Sequence, residues 1–218
     1  MDGVIVKLFL YAIIIFSAVI HEFSHGWMAY RLGDPTAKNA GRLTLNPLVH
    51  LDLFGTVIIP LFLLLTSGIF IGWAKPVPYN PYNLRDPKYG SLKVGIAGPA
   101  SNFLVAILIG LILRFFPAFL LAAGLPPVFL EFLAIIIYVN IFLGLFNLIP
   151  VPPLDGSKVL NDLFPNVWRR VMNPPHKSMW GMNLGFAGIF VALFAAMFLL
   201  PPIAQFIFWL ITGQGIGF

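Results

Sequence analysis

The chain has 218 residues, 59% of them hydrophobic and only 10% charged, with a mean hydropathy of +0.92; a soluble domain carries about 25% charged residues, so a water-soluble globule is excluded. The formal charge of +5 sits in short loops between apolar runs, a pattern that suits anionic lipid headgroups rather than nucleic acid. Cysteine is absent, which removes disulfides and thiolate metal sites.

A membrane-spanning helix needs about 20 mostly apolar residues. Residues 4–30, 92–115, 128–149 and 183–200 meet that requirement. The first run reads as a retained span rather than a cleaved leader, because it is too long and lacks a small-residue cleavage site. Residues 31–54 then mix Gly, Pro and Asn with short alternating stretches. Residues 55–73 are apolar but interrupted by Pro60 and Gly68, and 74–91 are Pro-rich. Such proline spacing forbids a helix interior and favours an edge strand or a polyproline-like path. Glu131 is expected in the first turn of its helix, where the dipole favours negative charge. Residues 150–182 open with PVPPLDG and carry Arg169, Arg170, His176 and Lys177 in an expected interfacial loop. Residues 203–211 follow Pro201-Pro202 as a kinked continuation or a short returning helix. Trp73, Trp168 and Trp180 suit an interfacial belt.

His21-Glu22-Phe23-Ser24-His25 closes the first apolar run. On a helix, two His at i and i+4 project from one face and can grip one Zn²⁺, with Glu22 placed to take a proton from water beside the ion. The same pentapeptide arises by chance on soluble helices. Here it follows IIIFSAVI, and a Glu beside two His in an apolar span is costly unless used. Two ligands are not enough, since a catalytic zinc has three protein ligands and one open position. Without Cys, the third is drawn from His50, Asp52, Glu131, Asp155 and His176. Asp155 stands out because it follows NLIPVPPL, where three prolines deny regular helix bonds, and unwound backbone at membrane depth is tolerated where it lines a polar cavity. The structural alternative for Asp155 is a cap on the following GSKVLNDLF segment.

HEFSH at 21–25, GPASN at 98–102 and NLIPVPPLDG at 147–156, in that order and with their apolar flanks, resemble the site-2 protease family of intramembrane zinc metalloproteases (peptidase family M50) over roughly residues 10–160. The resemblance implies one Zn²⁺ per chain held by His21, His25 and Asp155, with Glu22 as general base and Asn147 supporting the substrate carbonyl or oxyanion. It also implies close packing through Gly98 and Pro99, with Asn102 as a hydrogen-bonding group at the site. It looks like the short form, without a PDZ insertion between the GPASN and LDG helices and without a CBS-type domain. The expected fold is an all-α multi-pass membrane protein forming a single domain over 1–218. It has about five to six transmembrane helices, one re-entrant or irregular segment and a short β or extended stretch near the active site. Asn102, Pro76, Val77, Pro78 and His50 are candidate substrate-binding residues, the Pro-rich stretch because proteases commonly bind substrate as an added strand, and His50 as part of a second polar constellation near the site.

His25 and Asp155 reach one ion only if they lie at one depth. If every apolar run crossed, they would emerge on opposite faces, about 20–30 Å apart. Residues 31–91 must therefore make no net crossing. Either 55–73 is re-entrant, or it crosses and 74–91 returns through the interior. With no net crossing, eleven basic residues share one face and Lys7 and Arg114 the other. The positive-inside rule then puts the N-terminus outside and the active site toward the cytoplasmic face of the cell membrane. The expected partners are a transmembrane protein or peptide substrate and the bilayer, with no nucleic acid. A membrane metal transporter or channel using the same cluster is the alternative, but polarity concentrates toward one side instead of lining a full path. A silent scaffold is disfavoured by the intact Glu22.

Overall fold

The computed structural model describes residues 3–66, 72, 74–166, 168, 190 and 193–215. Trp73, Arg169, Arg170, His176, Lys177, Trp180 and, within the expected span 183–200, residues 183–189 and 191–192 lie outside them. Contacts divide the chain into two compact units, Met1–Gly90 and Ser91–Phe218.

The first unit is built on α1 (Gly3–Arg31). Its buried residues include Ser17, His21, His25 and Ala29, a row spaced four apart that shares one helix face. A short helix α2 (Thr36–Asn39) and a 3₁₀ turn (Pro47–Val49) pack on α1. A π-helical turn over Leu53–Ile58 then runs into α3 (Ile59–Thr66). Asp52 caps this turn by accepting from Gly55 N at 2.6 Å, and its own N–H donates to Thr56 Oγ1 at 3.0 Å. That capping is why the His50-x-Asp52 pair is followed by an irregular helix and not by a loop.

Both ends of the 51–74 excursion meet: Lys75 N donates to His50 O at 2.9 Å. A Cβ at Gly72 would lie 2.7 Å from Gly55 O, so the chain is already back beside the start of the excursion. Between these points the Tyr11 hydroxyl donates to Thr56 O at 2.7 Å. Residues 74–80, the strap, carry no regular secondary structure, with Asn80 extended, and Pro81–Asn83 form a 3₁₀ turn. This stretch joins no β ladder, and no strand occurs among the described residues. Pro76 and Pro78 have no N–H to offer a partner strand.

Asp34 fastens the far end of this stretch. The residue is fully buried, and its carboxylate accepts from Asn80 N at 2.6 Å, Asn83 Nδ2 at 2.9 Å, and Thr36 N and Oγ1 at 3.1 and 2.5 Å. Burial raises the carboxyl's pKa, but the donors from Thr36, Asn83 and Asn80 outweigh it and hold Asp34 below its ordinary value.

The second unit comprises α4 (Gly90–Phe115), α5 (Pro117–Ala122), α6 (Val128–Asn147), α7 (Asp155–Leu163) and α8 (Leu200–Thr212). A π turn over Ala195–Leu199 leads straight into α8, so residues 203–211 continue the preceding helical turns. The core gathers Ala106, Leu113, Ile137, Ile141, Ala204 and Phe208 from α4, α6 and α8. Inside it, Asn102 Nδ2 donates to Asn140 Oδ1 at 3.0 Å, and Asn140 Nδ2 to Ile136 O at 2.9 Å. Three helices, Ile5–Arg31 of α1, α4 and α6, are long and apolar enough to cross a membrane. Glu131 lies in the first turn of α6, as expected.

Candidate active site

His21, Glu22 and His25 stand on one stretch of α1. Their ligand atoms all lie within 4.8 Å of one another. The Nε2 atoms of His21 and His25 are 3.0 Å apart, with the rings edge to face at 85°. Both histidines are buried and Glu22 is half-buried. A tetrahedral zinc with bonds of about 2.0–2.1 Å separates its ligand atoms by about 3.3 Å, so two imidazole nitrogens at this spacing fit that ion. Glu22 Oε2 accepts from Val77 N at 2.7 Å, which brings the strap 74–80 directly against the pentapeptide.

His50 is also in this unit and almost wholly buried. Its Nε2 lies 2.9 Å from Thr44 O, which makes Nε2 the protonated nitrogen, and its Nδ1 has no hydrogen-bond partner among the described residues. His50 reaches the strap through its backbone carbonyl on Lys75 N. Pro76 and Pro78 are exposed, whereas Val77 is buried.

Asp155 opens α7 in the second unit. It does not cap that helix, for the cap position is Leu154. The residue is buried, and its Oδ1 accepts from Lys158 Nζ at 2.8 Å, one turn along. Asp162 of the same helix accepts from Leu92 N at 2.8 Å, tying α7 to the first turn of α4. The residue after Asp155 must be glycine. A Cβ at Gly156 would strike the carbonyl oxygens of Leu148 and Ile149, which close the end of α6. The NLIPVPPLDG run thus folds back on its own helix and delivers Asp155 at a position set by backbone contact.

Asn147 is the last residue of α6, and its Nδ2 donates to Leu143 O at 3.0 Å, leaving one amide proton for another acceptor. Asn102 is fully buried and directed to Asn140. Sequence reasoning did not single out Asn140. Its signal was legible, since a polar side chain inside an apolar span needs a partner. Asp34 was also missed, although Gly33-Asp34-Pro35-Thr36 carries the signature of an Asp-centred turn.

The chain is 38% identical over 208 residues to the Bacillus subtilis protein named "Putative zinc metalloprotease YwhC", which covers 93% of this chain and 84% of that one. It belongs to peptidase family M50. The M50 family model itself matches residues 119–192, a stretch that carries NLIPVPPLDG; HEFSH lies outside it. A second relative, "Putative zinc metalloprotease Rip2" of Mycolicibacterium smegmatis, is 30% identical over 167 residues, 76% of this chain and 60% of that protein. "Zinc metalloprotease MJ0392" of Methanocaldococcus jannaschii is 27% identical over 123 residues, 56% of this chain and 34% of that protein. No solved structure matches this M50 chain.

Proposed function

We propose that this chain is an intramembrane zinc endopeptidase that hydrolyses peptide bonds of transmembrane substrates. The observation that carries the reading is the pair of ring nitrogens 3.0 Å apart, with a carboxylate in the same cluster, on a helix apolar enough to cross a bilayer. His21 and His25 hold the ion, and Asp155, on the motif resemblance, is the third ligand. Both units then work as one catalytic domain.

A zinc ion bound by these groups would polarise the scissile carbonyl and bring the pKa of water toward neutrality. Glu22 accepts the proton of the attacking water and returns it to the leaving nitrogen. Asn147 directs its remaining amide proton toward the developing oxyanion. His50 and the strap over Pro76, Val77 and Pro78 border the substrate path.

The segment 55–73 is read as re-entrant. Support comes from the bonded pair His50 and Lys75 at its ends, and from Tyr11, which meets Thr56 eleven helical residues, about 16 Å, from the level of Glu22. Residues 31–91 then make no net crossing, and the eleven-to-two division of basic residues places the active site toward the cytoplasm.

Reconstitution with single-span substrates tests the function. Wild type should cleave, and Glu22→Gln should lose about 10²–10⁴-fold in rate while retaining zinc. Metal flux through the vesicle wall that survives Glu22→Gln, with no cleavage by wild type, would instead make the chain a transporter.

A further inference from the structure

The strap 74–80 touches α1 through one residue in two ways. The Val77 N–H donates to Glu22 Oε2 at 2.7 Å. The Val77 side chain also lies over Gly26, where a Cβ would come within 2.9 Å of Val77 Cγ1 and 3.2 Å of Ala37 Cβ. Glu22 and Gly26 are separated by four residues and so adjoin on the helix surface. A glycine next to the second histidine thus opens a notch, the notch seats Val77, and seating Val77 brings its amide onto the carboxylate.

The neighbouring groups sharpen the point. Lys75 N–H is bonded to His50 O, and Pro76 and Pro78 have no amide hydrogen. Over residues 75–78 every N–H is therefore turned inward or missing. A peptide lying against exposed Pro76 and Pro78 finds no backbone donor there. Val77 is not available to pair with it.

We propose that Val77 is a positioning residue for Glu22. Its amide pins one carboxylate oxygen and leaves the other to move the proton, and the Gly26 notch sets the register that makes this bond. The inference rests on the protease reading for its kinetic consequence, though not for the bond itself. Glu22 makes no other hydrogen bond among the described residues. Without the strap its side chain would sample several rotamers, and a mis-aimed base lowers turnover more than substrate binding.

Amide hydrogen exchange in the full-length, zinc-free protein tests the bond without any need for activity. Because Pro76 and Pro78 carry no amide, Val77 is the sole exchanging site of residues 76–78. Its exchange should quicken at least about tenfold in Glu22→Ala and in Gly26→Ala, and return to within about threefold of wild type in Gly26→Ala/Val77→Ala, where the clashing methyl is gone. In the zinc-loaded enzyme, Gly26→Ala should lower kcat about ten- to hundredfold with KM changed less than about threefold. Val77 exchange indifferent to Glu22→Ala overturns the proposal, as does a Gly26→Ala defect that Val77→Ala fails to relieve. Loss of zinc from Gly26→Ala would also overturn it, by assigning Gly26 to the metal site. If wild type cleaves nothing, the protease reading fails, while the exchange data still decide whether Val77 holds Glu22.

Discussion

The backbone N–H of Lys75 donates to the carbonyl of His50 at 2.9 Å. This bond brings the residues on either side of an apolar run together, and Tyr11 of α1 reaches Thr56 within that run. On the proposed re-entrant reading the run makes no net crossing, and the segments on either side share one face of the membrane. Single cysteines at Thr44 and Lys88, in a chain with no native Cys, should therefore label from the same side. Labelling from opposite sides would rule out the re-entrant path.

Asp34 pins the strap to the end of α1. Asp34→Ala strands donors on Asn80, Thr36 and Asn83, and an unsatisfied buried donor costs about 1–3 kcal/mol, so thermal unfolding in detergent at pH 7 should show a loss of about 3 kcal/mol. The pKa of Asp34 is lower in the folded than in the unfolded chain. Its contribution is complete above the ordinary carboxylate pKa of about 3.9 and is lost as pH falls through the lowered value. The gap between wild type and Asp34→Ala should accordingly persist from pH 8 to pH 5 and shrink below about pH 4.

Much of this architecture is legible in the sequence. Runs of apolar length give α1, α4 and α6 within about two residues, because lipid leaves a helix no alternative. The spacing of His21 and His25 gives the metal-capable pair. Other features are less accessible. Asp34 finds its donors 46 and 49 residues away, and no local periodicity encodes such a bond. The strap reads as extended from its prolines, but its contact with Glu22 depends on Val77 meeting Gly26, a coincidence of two distant positions. The short helix α5 carried a readable sign in Pro117 at its first position.

Gly156 separates backbone fit from side-chain chemistry at the LDG motif. Gly156→Ala drives a methyl into the Leu148 and Ile149 carbonyls. It should cost at least about 1–3 kcal/mol and weaken zinc retention by shifting Asp155. Gly95→Ala is the control, because its added Cβ meets the Lys158 stem at 3.3 Å and Asp155 O at 3.4 Å. Its thermal midpoint should fall less than that of Gly156→Ala.

Asn102 distinguishes clamp from site. It is bonded to Asn140 between α4 and α6, and interhelical hydrogen bonds in membranes are worth about 0.6–2 kcal/mol. Asn102→Ala should lower stability by about 1 kcal/mol, and Asn102→Ala/Asn140→Ala should be less than additive. Normal stability with lost turnover would instead assign Asn102 to the reaction.

Zinc content of purified protein tests the central claim most directly. Wild type and Glu22→Gln should each hold one zinc per chain after dialysis against a weak chelator, while His21→Ala, His25→Ala and Asp155→Ala should each lose it. An Asp155→Ala protein that keeps its zinc as firmly as wild type would contradict the ligand set on which the account stands.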